Sequence, residues 1–75
     1  MNREPRDTFG LTDLLMLLRE DEVAARWDKS LRTMQRWRYA RVGPAYIRIG
    51  GTVFYRLGDV LAFEDSARHD PDASA

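Results

Sequence analysis

The amino-acid sequence predicts a mainly α-helical domain with a small β-hairpin, in the order short helix, helix, tight turn, helix, hairpin, helix. Two observations predict it. Apolar residues recur at helical spacing in several short segments, and two strand-like segments flank Gly50-Gly51. A chain of 75 residues is long enough for one domain. We expect the folded domain at residues 12–67, between a flexible arm at 1–11 and a disordered tail at 68–75.

The basic residues are concentrated in the middle of the chain. Residues 26–56 hold eight of the twelve basic side chains and a single acid, Asp28, which gives this segment a net charge of +7. The first 25 residues carry three basic side chains against six acids, and the last 19 carry one against five, so the whole chain has no net charge. A cationic block between acidic flanks is typical of a protein that binds a polyanion.

The composition excludes several classes of function. With no cysteine, the chain has no disulfide and no thiolate, and its one histidine, His69, lies in the predicted tail. We therefore expect no metal, no other cofactor and no enzyme activity. The longest apolar run, residues 14–18, is too short to cross a membrane, and the N-terminal residues lack the pattern of a signal peptide. A cytoplasmic location without a membrane partner is expected.

The first helix is predicted at residues 12–18, with Thr12 as its N-cap and Asp13 in its first turn. This segment is apolar on nearly all sides. Two interpretations stay open: its leucines complete an undersized core, or they form a surface for self-association or for a partner protein. The residues that such a surface would use are Leu14, Leu15, Leu17 and, from the hairpin, Phe54.

The second and third helices are predicted at residues 20–27 and 31–40. Three acids open the second helix and Arg26 lies near its end, an arrangement that suits the helix dipole. Its apolar face consists of Val23, Ala24 and Trp27. A short break at residues 28–29 precedes Ser30, a favourable N-cap for the third helix.

The third helix has two unlike faces. Its core-facing stripe is predicted to consist of Thr33, Met34 and Trp37. The opposite face is predicted to be exposed, cationic and rich in hydrogen-bonding groups: Arg32, Gln35, Arg36 and Tyr39. Such a face is suited to contact an anionic partner.

A hairpin is predicted at residues 46–56. A two-residue turn at Gly50-Gly51 would pair Ile47 with Phe54, whereas a three-residue loop would pair Ile47 with Tyr55. We predict the three-residue loop, because it places four apolar side chains on the core face: Ile47, Ile49, Val53 and Tyr55. In that register Arg48, Phe54 and Arg56 point away from the core, and Tyr46 and Tyr55 lie in it.

The last helix is predicted at residues 59–67, with Gly58 as its N-cap and Asp59 in its first turn. Its inward-facing residues are Val60, Leu61 and Phe63. The residues that follow include Pro71 and several small polar side chains, which is typical of a frayed tail.

The order of these elements is that of a helix-turn-helix followed by a wing. The second helix of such a motif enters the major groove of DNA, where arginine suits guanine and glutamine suits adenine. The candidates for base readout are Arg32, Gln35 and Arg36. Those for contacts with the DNA backbone, which position the protein, are Lys29, Ser30, Arg38, Tyr39 and Arg41. Those in the wing are Arg48, Gly51, Thr52 and Arg56.

Several segments carry a resemblance to a known family: Glu22-Val23-Ala24-Ala25, the stretch 30–37, Gly43-Pro44-Ala45-Tyr46, and the stretches 47–50, 53–56 and 59–63. In their order and spacing they resemble the excisionase/MerR-type winged helix-turn-helix family, especially its small phage and mobile-element members. The resemblance covers residues 18–63. Two features differ from the family pattern: the wing tip is Gly51-Thr52 rather than basic, and residues 12–18 have no counterpart.

The resemblance implies a bacterial or phage protein that binds double-stranded DNA by sequence, without catalysis. It implies a recombination directionality factor, which binds adjacent sites, bends DNA and assists an integrase of the tyrosine or serine recombinase type. Further copies of the chain, in a homo-oligomer or a cooperative array on DNA, are also implied partners. The alternative is a small transcriptional regulator, a repressor or an activator. The zero net charge leaves a third interpretation, a protein-interaction module that does not bind DNA.

Overall fold

The computed structural model describes residues 10–71, which form four helices and a three-stranded antiparallel sheet. In chain order the elements are α1 (Leu11–Leu14), β1 (Leu17–Arg19), α2 (Glu20–Arg26), α3 (Leu31–Ala40), β2 (Ile47–Ile49), β3 (Thr52–Arg56) and α4 (Leu57–Ser66). In the sheet, β3 lies between β1 and β2. The prediction of helices with one hairpin is therefore correct in part, because the hairpin gains a third strand. Of the predicted arm and tail, residues 1–9 and 72–75 lie outside the described residues.

The predicted helix at residues 12–18 is wrong in its second half. α1 is a single turn, and Leu17–Arg19 instead pair with β3 as strand β1. A hydrogen bond from the Leu57 N–H to the Met16 carbonyl oxygen (2.9 Å) extends this pairing. The physical reason is that β3 offers backbone partners along its edge, and a short apolar run fits a strand as well as a helix.

Gly10, rather than Thr12, is the N-cap of α1. The Gly10 N–H donates to the Asp13 carboxylate at 3.1 Å, while Thr12 already lies inside the helix. The carboxylate three residues beyond the cap thus accepts the backbone N–H of the cap residue itself. Leu11, placed in the arm by the sequence analysis, is the first residue of α1.

Helices α2 and α3 form where the sequence predicts them. After Arg26 the chain turns through Asp28, whose φ of 57° lies in the left-handed region. Ser30 then caps α3, because its Oγ accepts the Thr33 N–H at 3.1 Å. The two helices contact each other across this short turn.

The hairpin closes with a two-residue turn, so the predicted three-residue loop is wrong. Ile47 lies opposite Phe54 rather than Tyr55. Gly50 and Gly51 have φ values of 57° and 87°, and a type I′ turn requires such left-handed values at both central positions. Two adjacent glycines adopt them without strain, which outweighs the gain from gathering all four apolar side chains on one face.

This register places Arg48 and Arg56 on opposite faces of the sheet. Arg48 lies opposite Val53, whose side chain is in the core, whereas Arg56 alternates with Phe54 on the outer face. The prediction that Arg48, Phe54 and Arg56 all point away from the core is therefore wrong for Arg48. Ile49, predicted on the core face, lies on the outer face and is 53% exposed.

Helix α4 begins at Leu57, with Arg56 as its N-cap, so the predicted cap at Gly58 is wrong. Gly58 has a spatial role instead. A Cβ atom at this position would lie 3.2 Å from the Leu14 carbonyl oxygen. The glycine therefore allows α1 to pack closely against α4.

The core lies between the inner face of the sheet and helices α2, α3 and α4. Its buried residues are Val23, Ala24, Met34, Val53, Tyr55 and Val60, with Leu18, Trp27 and Trp37 packed against them. Tyr46, predicted in the core, is 42% exposed, and its ring contacts the Tyr55 ring at a centroid distance of 6.3 Å. In the part of the chain that the structure describes, no helix has the length and apolar character needed to span a membrane.

Candidate nucleic-acid interface

The outward face of α3 consists of four exposed side chains: Arg32, Gln35, Arg36 and Tyr39. Tyr39 is 86% exposed, whereas Met34 on the opposite face is 1% exposed and belongs to the core. The helix therefore buries its predicted apolar stripe and presents its predicted polar face to solvent. Three of the four outward side chains are the residues predicted to read bases.

Both ends of α3 are fixed by hydrogen bonds within the protein. At its start, Ser30 Oγ accepts the Thr33 N–H and lies 3.1 Å from Thr33 Oγ1. At its end, Arg41 adopts a left-handed φ of 61° and the Val42 N–H donates to the Trp37 carbonyl oxygen at 3.0 Å. The Ser30 hydroxyl, predicted to contact the DNA backbone, is thus already used to cap the helix.

Most of the cationic block has no acidic partner. Six of its eight basic side chains form no ion pair among residues 10–71: Lys29, Arg32, Arg36, Arg41, Arg48 and Arg56. All six are exposed. An exposed cation without an internal partner can approach an anion without breaking an ion pair first. The block therefore keeps most of its charge available for a polyanion.

Arg38 differs from these six because it is held inside the protein by Glu20. Its Nε and Nη2 donate to the two Glu20 carboxylate oxygens at 2.8 and 3.3 Å, and both side chains are nearly buried. The Arg38 guanidinium also lies 5.5 Å from the centre of the Tyr46 ring. The hydrogen bonds to Glu20 raise the pKa of Arg38. A phosphate contact from Arg38, as predicted from the sequence, would have to compete with this pair.

Tyr55 completes the same cluster from β3. Its hydroxyl donates to Glu20 Oε2 at 2.9 Å. Burial of the ring, reinforced by this hydrogen bond, raises the pKa of Tyr55 well above its ordinary value. Glu20 thus joins three elements, its own helix α2, the recognition candidate α3 and the central strand β3. This one carboxylate therefore links the helix pair to the hairpin.

Arg26, the other paired cation of the block, is bound by Glu64 of α4. Its Nη2 donates to Glu64 Oε1 at 2.9 Å and its Nε donates to Glu64 Oε2, while Trp27 Nε1 donates to the same Oε2 at 2.6 Å. The hydrogen bond from Arg26 is the main cause that lowers the pKa of Glu64 to about 2, against the opposing effect of burial. This contact fixes α4 to the end of α2.

The aromatic residues near this ion pair pack on one another. The Trp27 ring lies 6.3 Å from the Trp37 ring and 5.3 Å from the Phe63 ring, centre to centre, in tilted orientations. Trp27 and Trp37 also pack against the core, which confirms the role predicted from their spacing. Lys29 borders the shallow apolar depression that these rings form on the surface.

The remaining interface candidates lie at the wing and at the end of α3. Gly51 and Thr52 are exposed at the tip of the hairpin. Arg41 lines a groove between the end of α3 and the start of β2, together with Arg38 and Tyr46.

Some of the residues predicted for self-association pack inside the protein and others are exposed. Leu14 is half-buried against α4, whereas Leu15 and Leu17 are 52% and 41% exposed. Phe54 is half-buried on the outer face of the sheet, opposite Ile47 and Arg19. The segment thus contributes to the core through Leu14 and β1, and leaves other apolar side chains uncovered.

Two features of the site are missed by the sequence analysis. From the sequence, Glu20 belongs only to the charge pattern of the helix start, because nothing local indicates a partner 18 residues away. Leu31, the first residue of α3, is 45% exposed beside the candidate base-reading residues. Within residues 10–71, no group of acidic, histidine or cysteine side chains is placed to hold a metal ion.

Comparison with known proteins adds no assignment to this geometry. No family model matches the chain, and neither a curated protein nor a solved structure matches it. The function must therefore be inferred from the residues and their arrangement.

Proposed function

We propose that the protein binds double-stranded DNA by sequence, as a winged helix-turn-helix whose helix α3 enters the major groove. One observation carries this proposal. The outward face of α3 combines arginine and glutamine side chains that are exposed and free of acidic partners, on a helix whose other face is locked into the core. A rigid helix with such a face matches the width and the hydrogen-bonding pattern of the major groove.

In this proposal Arg32 and Arg36 donate to guanine O6 and N7, and Gln35 pairs with adenine N6 and N7. The three side chains lie within five consecutive residues of one helix, so they reach neighbouring base pairs. Tyr39 lies one turn beyond Gln35 and meets the backbone at the edge of the groove. The exposed positions of all four side chains support these roles.

Contacts with the DNA backbone come from the unpaired cations that surround α3. Lys29 precedes the helix and Arg41 follows it, so that each can meet a phosphate on one side of the groove. Of the two wing arginines, Arg48 lies on the sheet face that packs against the helices, which assigns it rather than Arg56 to the α3 side. Arg38 is left out, because Glu20 already binds it.

Among DNA-binding roles, we favour that of an excisionase, a recombination directionality factor that binds adjacent sites, bends DNA and assists an integrase. The resemblance of residues 18–63 to that family supports it. The exposed apolar side chains of Leu15 and Leu17 support it further, since neighbouring copies on adjacent sites need a surface for contact. The alternative is a small transcriptional regulator, which would use the same α3 face at an operator.

In vitro selection from random duplex DNA, followed by footprinting and a bend assay on the enriched sequences, tests this proposal. Adjacent directly repeated sites with a clear bend are expected for an excisionase. A single or palindromic unbent site would favour the regulator. Failure to enrich any duplex would contradict DNA binding and would favour a protein-interaction module.

The salt dependence of binding gives a second criterion on any enriched duplex. Each phosphate contact releases counterions, so the logarithm of the affinity should fall steeply with the logarithm of salt concentration. The three cationic backbone contacts, from Lys29, Arg41 and Arg48, would lower the affinity roughly 40-fold for a fourfold rise in salt. An affinity that hardly changes would contradict contacts through the cationic block.

A further inference from the structure

The first residue of α3, Leu31, is apolar but lies outside the core. Leu31 is 45% exposed, whereas Met34 on the same helix is 1% exposed. Leu31 precedes Gln35 by four residues, and side chains with this spacing are neighbours on the surface of a helix. The exposed leucine therefore borders the face that we assign to DNA.

The groove beside Leu31 carries more acidic than basic side chains. Besides Leu31, its lining consists of Arg19, Glu20, Asp21 and the hairpin residues Thr52 and Val53. Arg38 neutralises Glu20 at 2.8 Å, and Arg19 lies 3.8 Å from Asp21. The groove therefore has no excess of positive charge to attract a phosphate, whereas Leu31 offers a partly exposed apolar side chain.

We propose that Leu31 is a specificity-determining residue that contacts the C5-methyl group of a thymine in the major groove. This inference rests on the proposed function, because it places the start of α3 against base edges. Among the groups that the base pairs expose in the major groove, the C5-methyl group of thymine is the apolar one. The residues at the start of a recognition helix are also those that meet base edges.

The neighbouring Gln35 gives the contact a defined place in the target. A glutamine amide pairs with adenine N6 and N7, and Leu31 lies one turn earlier on the same side of the helix. The thymine that Leu31 contacts is therefore part of the A·T pair read by Gln35 or of the adjacent pair. The preferred site thus contains thymine at one fixed position relative to that adenine.

Replacement of single thymines by deoxyuridine tests the inference, because it removes the methyl group and leaves base pairing intact. On a duplex enriched by selection, one replacement should weaken binding about fivefold, as expected for loss of one methyl-sized apolar contact. The same replacement should have no effect on the Leu31→Ala variant, whose affinity for the thymine duplex should already be reduced by a similar factor. Other thymines in the site should tolerate the change.

Val42→Ala is the matched control, since Val42 is another exposed aliphatic residue, 51% exposed, just beyond the end of α3. It should respond to deoxyuridine as the unchanged protein does. Circular dichroism melting of Leu31→Ala checks that the fold is retained, and Leu31→Gln provides a second variant of similar size.

The possible failures are distinguishable. If the protein binds an enriched duplex but no deoxyuridine replacement weakens binding, the inference is overturned while the proposed function stands. The same holds if Leu31→Ala and Leu31→Gln both remain as sensitive to deoxyuridine as the unchanged protein. If no duplex is enriched, the proposed function fails and this inference fails with it.

Discussion

Glu20 and Arg38 form a two-point ion pair that joins the start of α2 to the last turn of α3. The two side chains are only 12% and 13% exposed, and the Tyr55 hydroxyl donates to the same carboxylate. A pair this well shielded from water loses little of its strength to solvent screening, but neither partner can be removed without leaving the other buried and unpaired. The contact therefore holds the hairpin against the helix that we assign to DNA.

Replacement of this carboxylate should destabilise the fold. We expect Glu20→Ala to lower the free energy of unfolding by about 2–4 kcal/mol, because it leaves the Arg38 charge and the Tyr55 hydroxyl without their partner. Chemical denaturation followed by circular dichroism measures the effect. The adjacent Asp21→Ala is the control, since its side chain is 63% exposed and its pair with Arg19 is long; it should cost less than about 0.5 kcal/mol. Equal losses of unfolding free energy in the two variants would contradict the structural role of Glu20.

Glu64 should make stability depend on acid. In the folded protein its pKa is lowered from 4.5 to about 2, mainly by the hydrogen bond from Arg26. A carboxyl with a lowered folded pKa contributes stability above its unfolded pKa, and this contribution is lost as the pH falls through the folded value. The loss should therefore occur between pH 4.5 and about 2.

Glu64→Gln should have a lower free energy of unfolding at pH 6 than the unchanged protein, and a flatter decline over that acid range. Denaturation curves at a series of pH values measure both. Asp65→Asn is the control because Asp65 is exposed and its ion pair with Arg68 is 3.9 Å long, and its profile should match that of the unchanged protein. Identical acid profiles for Glu64→Gln and the unchanged protein would be inconsistent with the ion pair at Arg26.

The two faces of α3 should respond in opposite ways to truncation. Met34→Ala should lower the free energy of unfolding by about 2–4 kcal/mol, since it empties a fully buried position. Leu31→Ala should change it by less than about 1 kcal/mol, because nearly half of that side chain is already in water. Thermal melting of the two variants tests the orientation of the helix, and similar losses would place Leu31 in the core.

The hairpin turn should tolerate asparagine but not a β-branched residue. Gly51 has a φ of 87°, so Gly51→Val should lower the free energy of unfolding by about 1–3 kcal/mol through backbone strain. Gly50→Asn should cost less than about 1 kcal/mol, because Asn-Gly is a favoured type I′ pair. Thermal melting compares the two variants. If valine were accepted at position 51 as readily as asparagine at 50, the two-residue turn would be wrong.

Local sequence signals were sufficient to predict helices α2 and α3. The acids at the start of α2, the Ser30 cap and the spacing of Met34 and Trp37 act within a few residues, and they predict both helices and their faces. The exposed positions of Arg32 and Arg36 follow from the same spacing. These elements depend little on the rest of the chain.

Contacts between distant residues could not be predicted in the same way. Strand β1 forms because Leu18 pairs with Tyr55, which lies 37 positions later in the chain, and its own sequence fits a helix as well. Arg26 and Glu64 are 38 residues apart, so the sequence near Arg26 does not indicate that this side chain forms an ion pair. The hairpin register depended on the backbone freedom of two glycines, which outweighed the apolar pattern.

The affinity of an Arg36 variant for an enriched duplex tests DNA recognition by α3 most directly. Arg36→Ala should weaken binding by about 1–3 kcal/mol, and Arg36→Lys should lose much of this too, because a lysine keeps the charge but not the two-pronged contact with guanine. Arg68→Ala, which removes one exposed positive charge beyond α4, should bind as the unchanged protein does. If Arg36→Ala and Arg68→Ala instead bind equally well, the outward face of α3 does not contact DNA.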